Sequence, residues 1–227
     1  MIHGRFWAMI PGAMDQPAAP VKIGLLGGSF NPVHLGHLVA AQDARERFDL
    51  DQVWFLPCAR SPLKGAATLA PDAHRLAMLR LALAGNPWAS VCDLELERGG
   101  ISYTVDTVRE LQRRHPNADF YFIVGTDALA DLHQWREIET LLTLCRFVAI
   151  QRPGWEPEAM TAERLRLPPP WPERLRAAIR PGHAIGISST EIRARAAEGR
   201  SLRYLAPDAV IAYIAQQALY GAGEKGS

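Results

Sequence analysis

Gly27-Gly28-Ser29-Phe30-Asn31-Pro32-Val33-His34-Leu35-Gly36-His37 follows directly on the short apolar run Val21–Leu26 and leads into the helical pattern Leu35–Phe48. An uninterrupted apolar run suits a strand buried on both faces, and the paired glycines stop it. Glycines also let backbone N–H groups approach an anion closely, and the helix that follows offers the positive end of its dipole. His34 and His37 sit three residues apart at the helix start, so both side chains can face one spot. Gly36 between them leaves room for a ligand against the backbone. The block matches neither the G-x-G-x-x-G dinucleotide fingerprint nor the P-loop. Strand, anion-binding turn and helix in this order predict an α/β fold whose first loop holds phosphate.

The alternation continues outward from this block. Gln52–Leu56 reads as a second strand, closed by Pro57. Asp72 is placed to cap a helix whose Leu76, Leu79 and Leu83 share a face, with Gly85 and Pro87 as its end. Val91–Leu96 fits another strand, and Thr104–Arg114 a helix stopped by Pro116. Phe120–Val124 and Leu144–Ile150 are further strands, separated by a helical stretch at Glu137–Leu142. Helices over Ser189–Glu198 and Pro207–Leu219 close the pattern. Such alternation implies a Rossmann-like, doubly wound parallel sheet with right-handed crossovers. Ligands then bind beyond the carboxyl ends of strands, in the loops after Leu26, Leu56, Val124 and the short run Ala184–Ile187. The proline-rich stretch Arg152–Arg180 reads as a surface excursion with one short helix near Ala162–Leu167. The single domain spans residues 21–221, between an N-terminal extension of residues 1–20 without regular structure and a flexible tail of residues 222–227.

Composition narrows the class. The 227 residues are 48% hydrophobic and 22% charged with a formal charge of +1, so a full core is affordable and general disorder is excluded. The charge balance gives no case for a nucleic-acid partner or an anionic membrane. No stretch approaches the roughly 18 apolar residues of a membrane span. Cys58, Cys92 and Cys145 are far apart and odd in number, against a disulfide scaffold or a cysteine zinc site. These features predict a cytoplasmic protein.

A second constellation lies far along the chain, at Ile187-Ser188-Ser189-Thr190-Glu191-Ile192-Arg193. Ser188 and Glu191 have capping-box spacing, which accounts for those two residues. Capping leaves Thr190 and Arg193 unexplained. A helix N-terminus with spare hydroxyls and an arginine makes a second phosphate clamp.

The two blocks together resemble those of the H-x-G-H nucleotidyltransferase superfamily and, within it, the bacterial nicotinate-nucleotide adenylyltransferases. Supporting stretches are Pro57 to Lys64, Ser102-Tyr103-Thr104, Ile123-Val124-Gly125-Thr126-Asp127, Trp135-Arg136, and Tyr204-Leu205-Ala206-Pro207 to Leu219-Tyr220. The resemblance implies an enzyme of NAD biosynthesis that transfers the adenylyl group of ATP to the phosphate of nicotinate mononucleotide, releasing pyrophosphate. It implies Mg²⁺ carried in on the ATP phosphates, with no protein residue as a metal ligand.

Residue roles follow from the same resemblance. His34 and His37 would contact ATP phosphates, His37 at the α-phosphate in the transition state. Ser188, Thr190 and Arg193 would hold the β- and γ-phosphates. Gly27, Gly28, Ser29 and Phe30 would shape the nucleotide pocket with their backbone, and Gly125 would approach the nucleotide. Asp127 suits ribose hydroxyls or, equally, the N-cap of the next helix. Trp135 would stack on the pyridine ring, although its spacing also suits a core residue. The N–H groups of Thr104 and Arg136 would bind the nicotinate carboxylate. Lys64 would face a substrate phosphate, where the family commonly reads Pro-Pro-His-Lys and this chain Ser61-Pro62-Leu63-Lys64. The resemblance leaves open whether copies of the chain form a homo-oligomer. Alternatives are a sibling adenylyltransferase acting on nicotinamide mononucleotide or phosphopantetheine, and a nucleotide-sensing module without catalysis.

Overall fold

Val21 to Gly28 is the strand from which the architecture grows, because its side chains alternate between two cores. Ile23 and Leu25 point into one buried cluster and Leu26 into the other, and in the fourth strand Phe120, Phe122 and Val124 oppose Tyr121 and Ile123 in the same way. The computed structural model describes residues 19–62 and 69–221. Most of the expected N-terminal extension, the tail after Gly221, and Lys64 lie outside the described residues.

In chain order the elements are β1 Val21–Gly28, α1 Leu35–Arg47, β2 Gln52–Pro57, α2 Asp72–Leu83 and β3 Ala89–Val91. Then come α3 Leu94–Arg98, α4 Thr104–Arg114, β4 Ala118–Gly125, α5 Thr126–Leu129, α6 Ile138–Leu144 and β5 Arg146–Ile150. The chain finishes with α7 Ala162–Leu165, α8 Trp171–Ala177, β6 Ile179–Arg180, α9 Ser189–Ala197 and α10 Asp208–Gln216. The six strands form one sheet in the order β3-β2-β1-β4-β5-β6, all pairs parallel. Strand order reverses between β1 and β4, and a ligand crevice opens at their carboxyl ends. Each fully buried Leu or Phe along this sheet stabilises the fold by about 1.5–3 kcal/mol. Gly24 has no such side chain because a Cβ there would lie 2.8 Å from both Ile123 Cδ1 and Leu50 Cδ1.

Several expectations are corrected. Val91–Leu96 is not a strand: the edge strand is Ala89–Val91 and Leu94 begins a short helix. Three alternating apolar positions are too few to separate a strand from a helical turn. Asp72 does not cap α2, since Pro71 occupies that position; Asp72 instead pairs with Arg75 at 2.5 Å. Ala184–Ile187 forms no strand, and the sheet ends on Ile179–Arg180, too short to leave a pattern. The proline-rich excursion is more than surface: Met160 and Leu165 are fully buried, and Pro172 sits in the first turn of α8, where a missing N–H costs nothing. Among the described residues no helix is long and apolar enough to cross a membrane.

Candidate active site

A cavity of about 1270 Å³ opens at the carboxyl ends of β1 and β4. Its wall includes every residue given a contact role in the sequence analysis except Phe30 and Lys64, the latter outside the described residues; Gly36 does not border it either. A smaller cavity of about 400 Å³, bordered by the amino-terminal ends of β4 and β5, contains none of them.

The first loop is shaped by packing before any ligand arrives. Phe30 takes a left-handed φ of 45°, a costly conformation for a bulky residue, and its ring is fully buried. That ring meets His37 edge-on at 5.0 Å and Phe55 at 5.7 Å. Phe30 therefore supports the site from beneath and does not border the cavity. A Cβ on Gly28 would come within 3.1 Å of the Phe30 ring, and one on Gly27 within 3.2 Å of Phe122. Both glycines thus serve aromatic packing. Arg75, buried on α2, donates to the Ser29 carbonyl at 2.8 Å and holds the turn. Asn31 Oδ1 accepts from the Ala70 N–H at 3.0 Å and from the Tyr220 hydroxyl at 2.9 Å.

The two histidines meet as the spacing predicts, with ring centroids 3.7 Å apart and planes inclined at 31°. The His34 N–H donates to His37 Nδ1 at 3.3 Å. With Nδ1 accepting, a neutral His37 carries its proton on Nε2, which becomes a donor for an anionic oxygen. His34 is 5% exposed. Burial first, and the nearby Arg152 charge second, lower its pKa to about 4, so the ring is neutral at neutral pH.

The second block is fastened to the first. Ser189 Oγ donates to the Pro32 carbonyl at 2.8 Å, and Arg193 Nη1 to the Asn31 carbonyl at 2.9 Å. Arg193 Nη2 also donates to Thr190 Oγ1 at 3.2 Å. Ser188 caps α9, its Oγ accepting the Glu191 N–H at 3.1 Å, as the spacing predicts. A buried carboxylate on α1 steadies the approach to this block: Asp43 accepts the His183 N–H at 2.8 Å and pairs with its Nδ1 at 2.7 Å.

Gly125, not Asp127, is the N-cap of α5, which removes the capping reading of Asp127. Asp127 is half exposed and lies 3.9 Å from Arg152 Nε. Arg152 was missed in the sequence. Its N–H donates to the buried Thr126 Oγ1 at 2.9 Å, and its guanidinium adds positive charge beside His34. Its position just beyond the carboxyl end of β5 was the available signal.

Trp135 packs as a core residue and also reaches the cavity. It is half-buried, packs edge-on against Phe122 at 5.6 Å and Phe147 at 6.1 Å, and borders the cavity. Arg136 lies over the Tyr103 ring at 4.6 Å, joining the Trp135–Arg136 segment to the start of α4. No side chain caps α4; the Tyr103 carbonyl accepts the Asp106 N–H at 3.1 Å and the Thr107 N–H at 3.2 Å.

The Cytidylyltransferase-like family matches residues 25–195. A "probable nicotinate-nucleotide adenylyltransferase" of Desulfitobacterium hafniense is 39% identical over 91% of this chain and 99% of its own. One of Roseiflexus is 44% identical over 87% of this chain and 97% of its own. Among solved structures, the Plasmodium falciparum nicotinic acid mononucleotide adenylyltransferase complexed with NaAD shares the fold. It has a TM-score of 0.68 and 22% identity, covering 88% of this chain and 97% of that one. Near-complete coverage in both directions at this identity, on the fold and site described above, establishes that the chain belongs to the nicotinate-nucleotide adenylyltransferase family.

Proposed function

We propose that the protein transfers the adenylyl group of ATP to the phosphate of nicotinate mononucleotide, releasing pyrophosphate and forming deamido-NAD. The observation that carries this reading is the Arg193–Asn31 bond, which holds two anion-binding blocks together on the wall of a cavity that Trp135 and Arg136 also border. A phosphate oxygen of the acceptor is already a competent nucleophile, so the chain has no proton to abstract. Its task is to align two anions and to neutralise charge as the bond from the α-phosphorus to the leaving oxygen breaks. His37 Nε2–H donates to the α-phosphate, where charge builds. Arg193, Thr190 and the amino end of α9 take the β- and γ-phosphates, and Asp127 the ribose hydroxyls. Backbone N–H groups of Thr104 and Arg136 receive the acceptor carboxylate beside Trp135.

Among the described residues no three metal-ligating side chains gather. Mg²⁺ carried in on the ATP would be bound mainly by phosphates and water and would supply further charge neutralisation. The test is pyrophosphate release with ATP and Mg²⁺, comparing nicotinate with nicotinamide mononucleotide. A clear preference for the nicotinate form is expected. Turnover of neither acceptor would overturn the reading.

A further inference from the structure

Glu95 borders the cavity at 7% exposure, and nothing in the proposed chemistry uses it. A carboxylate withdrawn from water persists only when its oxygens are hydrogen-bonded. Thr107 Oγ1, on α4, donates to Glu95 Oε1 at 2.7 Å, and the Ser102 hydroxyl bonds to the same carboxylate. Each partner is held in turn. The Ala59 N–H donates to Ser102 Oγ at 3.0 Å, and Arg98 Nη2 donates to Thr107 Oγ1 at 2.9 Å. A hydrogen-bond chain therefore runs from the loop after β2, through Ser102, Glu95 and Thr107, to the last residue of α3. The Ser102 N–H also donates to the Arg60 carbonyl at 2.9 Å, closing the same seam. Burial raises the Glu95 pKa, and the bonds from Thr107 and Ser102 oppose that rise.

Ser102 and Thr107 lie on either side of Tyr103 and Thr104, where α4 begins. We infer that Glu95 is a positioning residue for the acceptor: it clamps both flanks of the α4 start and so fixes the Thr104 N–H, one of the two donors that receive the acceptor carboxylate. The inference rests on the reading of the cavity as a nicotinate mononucleotide site. A fixed N–H at Thr104, paired with that of Arg136, also separates an acid from an amide. A carboxylate accepts from both donors, whereas an amide brings N–H hydrogens of its own against them. Loosening the clamp therefore costs the acid more than the amide.

Initial-rate kinetics of the full chain with Glu95→Ala, Glu95→Gln and Thr107→Val test this. Glu95→Ala should raise KM for nicotinate mononucleotide about ten-fold or more, keep KM for ATP within about two-fold, and narrow the preference over nicotinamide mononucleotide. Thr107→Val should move the same values by less, and Glu95→Gln should recover part of the loss. A purely structural role would lower the melting temperature and the active fraction while leaving both KM values and the preference unchanged. That result overturns the inference, as does a parallel rise in both KM values. If Glu95→Ala does not fold, the other two variants decide. A wild type that fails to turn over nicotinate mononucleotide removes the site reading and the inference together. An active wild type whose Glu95 variants keep their KM values removes the inference alone.

Discussion

The Arg193 guanidinium donates to the main-chain carbonyl of Asn31 at 2.9 Å, across 162 residues of sequence. The arginine is therefore a strut between the Gly27–His37 and Ile187–Arg193 blocks as well as a charge. Arg193→Ala should raise KM for ATP about ten-fold or more and slow turnover, because strut and charge are lost together. Arg193→Lys should recover little, since an ammonium cannot keep the Asn31 and Thr190 bonds in one plane. Steady-state kinetics in ATP decide this, and unchanged values would remove Arg193 from the phosphate site.

On the proposed reading His37 donates where charge develops, so its contact is worth more in the transition state than in the bound complex. His37→Ala should lower kcat by ~10²-fold or more while ATP affinity, measured by calorimetry, weakens much less. Equal losses in binding and turnover would contradict that role.

His34 links stability to acidity. Its folded pKa of about 4 lies below the ordinary 6.5, so between those values the unfolded chain takes up a proton that the folded chain refuses. The stabilisation is complete above pH 6.5 and is lost as pH falls towards 4. The full span amounts to about 3 kcal/mol. Urea unfolding at pH 7 and near the lower limit should show the wild type losing more stability than His34→Asn. Equal losses would mean that His34 is not held neutral.

Gly36 touches the site by having no side chain. A Cβ there would lie 3.0 Å from His34 Nδ1 and 3.4 Å from the Ile187 carbonyl oxygen. Gly36→Ala should displace the His34 ring and part the two blocks. The expected result is a ~10-fold or greater fall in kcat/KM with a stability loss of about 1–3 kcal/mol. Wild-type kinetics in this variant would show that the histidine pair tolerates the shift.

What the sequence discloses depends on how local each feature is. β1, β2, β4 and β5 are legible because strands buried on both faces must be apolar throughout. Gly27–His37 and Ile187–Arg193 are legible because each concentrates its chemistry in one contiguous stretch. β6 is not, since two residues carry no period. Arg152 and Glu95 are equally silent as single charged residues. Their meaning comes from Thr126 and His34 in one case and from Ser102 and Thr107 in the other, all brought near by the sheet. Asp127 shows the converse: its spacing suits a cap, but the helix begins two residues earlier than that reading needs.

The Tyr220 hydroxyl reaches the Asn31 side chain across 189 residues of sequence. A ribosome making this chain delivers the first anion-binding loop early and its last partner nearly at the end. The Ala70 N–H can reach Asn31 early, but Arg193 and the Tyr220 hydroxyl arrive only near the end of synthesis, and contacts of such long range favour slow final consolidation over early closure. Nucleotide capture should consequently mark the completed chain: a ribosome-bound intermediate lacking α9, α10 and Tyr220 would carry a formed β1–α1 unit yet retain ATP poorly.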